Sequence, residues 1–165
     1  MIKHQNIKPT NILVKDEKIY LTDFGSATDI QQLEASTASL YFERGTSIYG
    51  APEPGPWVRI ADVFALGCVF SEMLTVRQRK TLVDYRNFRY NPVADSGYAY
   101  RNNLKRVRLW LTRELPGIDA GTPVAQLLCE QTMNMLEADP EQRLEARRVK
   151  HHLRSEESVF CASCF

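Results

Sequence analysis

Four cysteines in 165 residues, only two of them close together (Cys161 and Cys164), are too few and too scattered for a disulfide scaffold. Long apolar runs are missing too, and the longest, Val63 to Phe70, is far too short to cross a bilayer. The opening Met1-Ile2-Lys3-His4 lacks the apolar stretch of a signal peptide. Charge of one sign does not dominate: the net charge is +1, so no global field favours nucleic acid or an acidic membrane. These absences point to a reducing compartment, cytosolic or nuclear, with neither membrane nor nucleic acid as a partner. What remains, 44% apolar and 25% charged residues, suits one globular domain.

Two short β-prone runs, Ile12-Leu13-Val14 and Ile19-Tyr20-Leu21-Thr22, flank the polar turn Lys15-Asp16-Glu17-Lys18 and predict a small hairpin. Residues 26–50 are polar, rich in Ser and Thr, and without a period, so they read as a loop. Ala51 to Pro56 is too dense in proline for regular structure. Residues 61–74 are apolar nearly all round, the pattern of a helix buried on most of its surface. Amphipathic helices are predicted over 104–115, over 124–136 after a Thr122-Pro123 start signal, and over 141–154. The architecture expected is mainly α with a small β-hairpin.

Four short motifs carry the chemistry. They are His4-Gln5-Asn6-Ile7-Lys8-Pro9-Thr10-Asn11; Asp23-Phe24-Gly25 after the second strand; Gly-Thr-Ser-Ile-Tyr-Gly-Ala-Pro-Glu at 45–53; and Asp-Val-Phe-Ala-Leu-Gly at 62–67. Each alone is weak, but this order and spacing resemble the C-terminal lobe of eukaryotic protein kinases, from Met1 to about Leu153. The Lys-Pro-x-Asn form is similar to the serine/threonine branch. The resemblance implies a partial kinase domain at 1–153, with the N-terminal lobe absent, and a tail at 154–165.

Phosphoryl transfer asks a protein for positioning and charge neutralisation more than for covalent work. The resemblance implies ATP with Mg²⁺ as cofactor, bound weakly by this chain alone. Asp23 and Asn11 would offer oxygens to the metals, Lys8 a mobile positive charge near the transferred phosphate, and Leu13 an apolar floor for adenine. Asp62 would accept hydrogen bonds from the catalytic-loop backbone. His4 and Phe24, the latter followed by Gly25, would stack in a core column. Glu53 would pair with Arg143.

The departures matter as much. The family's loop begins His-Arg-Asp, and here it is His4-Gln5-Asn6. An amide is far too weak a base to take a hydroxyl proton, and losing a general base costs about 10²–10⁴ in rate. Gln5 replaces the arginine that reads an activation-loop phosphate in many relatives, so that regulation is expected to be absent even though Ser36, Thr37, Ser39, Tyr41, Thr46, Ser47 and Tyr49 line the segment. The Gly-rich loop, the strand lysine and the hinge would all precede residue 1, and Met1 could be an internal methionine of a longer chain. Two readings stay open: a serine/threonine kinase, truncated and impaired, that phosphorylates a protein substrate, or a pseudokinase remnant that docks other proteins.

Two features lie outside those motifs. Residues 77–113 are basic and aromatic, which suits a solvated face or, functionally, an acidic docking partner. Cys161-Ala162-Ser163-Cys164 has the spacing of half a zinc site, but no second half is visible, so the tail reads as unliganded.

Overall fold

The computed structural model describes residues 2–29, 48–53, 60–94, 96–115 and 123–155. The candidate phosphorylation sites between Ser36 and Ser47, the proline-dense stretch from Pro54, the Thr122 start signal and the Cys161/Cys164 pair lie outside the described residues.

The hairpin forms as the sequence suggests. Strands β1 (Ile2–Lys3), β2 (Ile12–Lys15), β3 (Lys18–Leu21) and β4 (Thr28–Asp29) make two antiparallel pairs, β2 with β3 and β1 with β4. Asp16 and Glu17 turn the hairpin with φ of 49° and 60°. Positive φ at both central residues matches the right-handed twist of the strands they join. The β1–β4 pair differs from expectation, because Thr28 and Asp29 fall in the stretch read as loop. Two-residue strands give too short a pattern for a period to emerge.

Helix α1 (Ile60–Arg77) is the axis of the fold. Asp62 in its first turn and Arg77 in its last suit the helix dipole. Three apolar clusters form on different sides of it. Phe64, Cys68 and Leu74 join the main core with Tyr85, Tyr100, Trp110 and Leu136; Ala65 and Val69 hold Ile7; Val63 meets Met135 and Val149. Helix α4 (Pro123–Met135) packs closely on α1. A Cβ at Gly67 would lie 2.9 Å from the Met135 Cβ, so only glycine permits this approach.

The remaining helices depart further from the sequence pattern. Helix α2 (Leu82–Arg89) was not expected. Its N-cap, Thr81, accepts a hydrogen bond from the Asp84 N–H at 3.0 Å. Helix α3 (Leu104–Leu109) passes at Trp110 into a π-helical turn (Trp110–Glu114), so the segment expected as one α-helix changes its winding midway. Helix α5 spans Ala146–Ser155, five residues shorter at its start than expected. The physical reason is Arg143. Its guanidinium donates to both Glu53 carboxylate oxygens, at 2.6 and 2.8 Å, and to the carbonyls of Ile60, Glu137 and Ala138. That chelation needs an irregular turn over 139–145.

Several buried polar side chains in the core are paired, while Arg89 Nη1 and Asn103 Oδ1 are buried without a hydrogen-bond partner. Tyr85 Oη donates to Ser71 Oγ at 2.9 Å, and Trp110 Nε1 donates to Thr75 Oγ1 at 2.9 Å. Burial pushes the phenols of Tyr49, Tyr85 and Tyr100 above the ordinary tyrosine value, with the Glu72 charge adding to the effect at Tyr49. Burial likewise pushes the Cys68 thiol up.

Two outcomes follow. Arg143→Ala strands a buried carboxylate and should lower stability by about 3–5 kcal/mol in denaturant unfolding; a loss under 1 kcal/mol, within the range of an exposed pair, would contradict the pairing described. Raised phenol pKa values mean that the unfolded chain releases these protons first. The stability they contribute is complete below about pH 10 and is lost as pH climbs toward the folded values. Alkaline titration of phenolate absorbance should therefore split the 7 tyrosines into an early class and a late class that ionises with unfolding. A single early class would contradict it.

Candidate active site around Asn6, Asn11 and Asp23

The loop from His4 to Asn11 rests on α1. Asp62 accepts the His4 N–H through Oδ2 at 2.7 Å and the Gln5 N–H through Oδ1 at 2.9 Å. Gln5 takes a φ of 63°, a left-handed backbone that a non-glycine residue adopts only when its surroundings hold it there. Ile7 plugs the same loop into the apolar cluster of Ala65 and Val69. Lys3, just upstream, is pulled below the ordinary lysine range by burial, against the opposing influence of the Asp62 and Glu53 carboxylates.

His4 fastens the loop to the other side of the site. Its Nε2 lies 3.0 Å from the Thr22 carbonyl, and its Nδ1 accepts the Asn6 N–H at 3.3 Å. With Nδ1 accepting, Nε2 carries the proton and donates to Thr22. Gln5, placed where arginine is usual in the resembling family, donates through Nε2 to Thr28 Oγ1 at 3.3 Å and so joins the loop to β4.

Pro9 opens a 3-10 turn, Pro9–Asn11, where its fixed φ and missing N–H are tolerated. Lys8, partly exposed, immediately precedes it. Asn11 is buried at the turn's end and works from both backbone and side chain. Its carbonyl accepts the Thr22 N–H at 3.0 Å, and its Nδ2 donates to the Asn6 carbonyl at 2.8 Å and to Asp23 Oδ2 at 3.3 Å.

Asp23 sits at the mouth of the site with φ and ψ both 63°. Asn6 reaches across to it, with Nδ2 donating to Asp23 Oδ2 at 2.7 Å. The amide orientation is fixed by chemistry, since its oxygen would repel the carboxylate. The structure thus brings Asn6, Asn11 and Asp23 into mutual hydrogen-bonding range.

Other expected residues lie around this centre. Leu13 is 51% exposed on the hairpin. Phe24 touches the His4 ring at a centroid distance of 4.8 Å, but it is 56% exposed and stands outside the core. A core column is therefore not formed at Phe24, because among the described residues nothing covers its outer face. At Gly25 a Cβ would make an ordinary 3.4 Å contact with Asp23 Oδ1, so space does not demand glycine there.

A second network was not foreseen. Glu72 Oε1 accepts from Tyr49 Oη at 2.9 Å and from Tyr100 Oη at 2.7 Å. The Tyr100 N–H donates to the Ile48 carbonyl at 3.0 Å, and the Arg89 guanidinium lies 3.5 Å from the Tyr100 ring centroid. These contacts tie residues 48–53 to α1 and α2. Glu72 was visible as the lone acid deep in an apolar helix, ten residues after Asp62.

The family model for the protein kinase domain matches residues 1–153. Among curated relatives, the chain is similar to the serine/threonine-protein kinase PKH1 of Saccharomyces cerevisiae, 29% identical over 167 aligned residues that take in 92% of this chain and 19% of PKH1. It is 35% identical over 79 residues to the serine/threonine-protein kinase Nek10 of Mus musculus, which covers 46% of this chain and 7% of Nek10. It is 31% identical over 104 residues to the serine/threonine-protein kinase PknB of Mycolicibacterium smegmatis, covering 58% of this chain and 17% of PknB. The chain spans less than a fifth of the length of each of these relatives. With its loop anchored on Asp62, its Asp23 facing Asn11, and a family model running through nearly all of its length, the chain belongs to the protein kinase family.

Proposed function

We propose that these residues form the C-terminal lobe of a serine/threonine protein kinase domain in which phosphoryl transfer from ATP to a protein hydroxyl is lost or strongly impaired, with residues 1–153 as the partial domain and 154–165 as its tail. The observation that carries this reading is the hydrogen bond from Asn6 Nδ2 to Asp23 Oδ2. The group at the base position donates a hydrogen bond to its neighbour, where a catalytic carboxylate would accept a proton from substrate. Asn6 therefore has neither the basicity nor the free direction that proton abstraction needs.

The rest of the site supports a nucleotide-related ancestry. Asp23 carries carboxylate oxygens and Asn11 an amide oxygen, ligand types that suit a hard divalent cation, and the two side chains are neighbours, with Asn11 Nδ2 3.3 Å from Asp23 Oδ2. Mg²⁺ held there would neutralise charge on the ATP phosphates. Lys8 would add a point charge, and Leu13 an apolar surface under the adenine. His4 and Asp62 position the loop without touching substrate.

A second reading is favoured by a separate observation. Leu13, Val14, Ile19, Tyr20, Leu21 and Phe24 are all exposed on the hairpin and just after it. A remnant with such a surface suits a protein-binding module. The basic stretch 77–113 could serve an acidic partner, although it offers less charge than its composition suggests. Arg89 is only 4% exposed, Arg108 pairs with Glu137 at 2.8 Å, and Arg86 stacks over Tyr98.

The purified chain, given ATP, Mg²⁺ and a generic protein substrate, should transfer no detectable phosphate. Transfer that Asp23→Ala abolishes would overturn the proposal. If the chain is joined to a kinase N-terminal lobe, Asn6→Asp should raise the rate by about 10²–10⁴; an unchanged rate would mean that Asn6 is not the lesion.

A further inference from the structure

Asn6 does more than fail as a base. Its amide occupies Asp23 Oδ2 at 2.7 Å, and Asn11 Nδ2 lies 3.3 Å from the same oxygen. An oxygen that accepts two N–H donors has little lone-pair capacity left for a cation. A carboxylate at position 6 could not make this bond, and it would add a second negative charge to attract a cation. We infer that Asn6 is a built-in competitor for the metal position: its side-chain amide occupies Oδ2, one of the two Asp23 carboxylate oxygens, and weakens divalent-cation binding at the Asp23–Asn11 pair.

The geometry supplies the means. The Asp62 carboxylate holds the backbone on the N-terminal side of Asn6, through the N–H groups of His4 and Gln5. His4 Nδ1 accepts the N–H of Asn6 itself, and Asn11 donates to its carbonyl. With both backbone polar groups engaged, the side chain reaches Asp23 from a fixed base, and little entropy is lost in forming the contact. The competing bond is charge-assisted and partly solvent-accessible, so a cation can displace it but must first break it.

This inference rests on the proposed reading of Asp23 and Asn11 as metal ligands, and the test separates the two. Mn²⁺ alone is titrated into the 165-residue chain and into Asn6→Ala, Asn6→Asp and Asp23→Asn, with free Mn²⁺ measured by electron paramagnetic resonance. Asn6→Ala removes the competitor without adding charge. It should bind Mn²⁺ roughly tenfold more tightly than the unaltered chain, the size expected for losing one hydrogen bond to a charged group. Asn6→Asp should bind more tightly still, and Asp23→Asn should not bind.

Equal affinities for Asn6→Ala and the unaltered chain overturn the competitor while leaving the metal site standing. No binding by any variant, Asn6→Asp included, overturns the metal-site reading itself. Should Asn6→Ala fail to fold, the side-chain amide resonances of the unaltered chain decide. On Mg²⁺ addition those of Asn6 and Asn11 should shift together with one half-saturation point. An Asn6 signal that stays still while Asn11 moves overturns the inference.

Discussion

A single carboxylate organises the candidate site. Asp62 accepts two successive backbone N–H groups, those of His4 and Gln5, across nearly sixty residues of sequence. Two charge-assisted bonds to one side chain fix the position and the direction of the peptide plane between them. The left-handed φ of Gln5 and the reach of His4 toward Thr22 both depend on that plane. Asp62 can hold the loop because α1 holds Asp62, and α1 is gripped on several sides by apolar clusters and by the turn around Arg143. Rigidity thus passes from an all-round apolar helix to one polar side chain, and from it to a loop with little regular structure.

Within that frame the amide at position 6 acts through its donor character. Asparagine and aspartate side chains differ only in whether an amide nitrogen or a carboxylate oxygen stands at one position. The amide donates, so two side chains that would repel as carboxylates attract here, at 2.7 Å. On the proposed reading, the site would keep the positioning features of phosphoryl transfer without its proton acceptor. Asn6 also engages Asp23 Oδ2, while Asp23 itself stays exposed.

Much of this was legible in the sequence where a pattern is local and strong. The hairpin could be read from two apolar runs around a polar turn, and α1 from an apolar stretch too continuous for a surface helix. The four motifs single out Asn6, Asn11, Asp23 and Asp62, which hydrogen bonds link through one loop. What was hidden depends on distant partners. The Glu53–Arg143 pair implied by the motifs forms, but the irregular turn that it holds, which delays α5 by five residues, has no signature in the local pattern. Helix α2 is half polar, and its burial rests on Tyr85 and on Arg89, a residue type seldom buried without aromatic or charged company. Its Thr81-x-x-Asp84 cap is the signal that the sequence offers for it. The exposure of Phe24 and the sharing of Glu72 by two tyrosines have no one-dimensional signature at all.

The most direct test of Asp62 as the anchor is amide hydrogen exchange at His4 and Gln5. Both N–H groups should exchange slowly in the unaltered chain, and slowly together, because one carboxylate protects them. In Asp62→Ala, folded otherwise, both should exchange fast, and the Asn6 amide resonance should lose its contact with Asp23. Protection of His4 and Gln5 that survives the loss of Asp62 would contradict the account, because the loop would then be held by something other than this carboxylate.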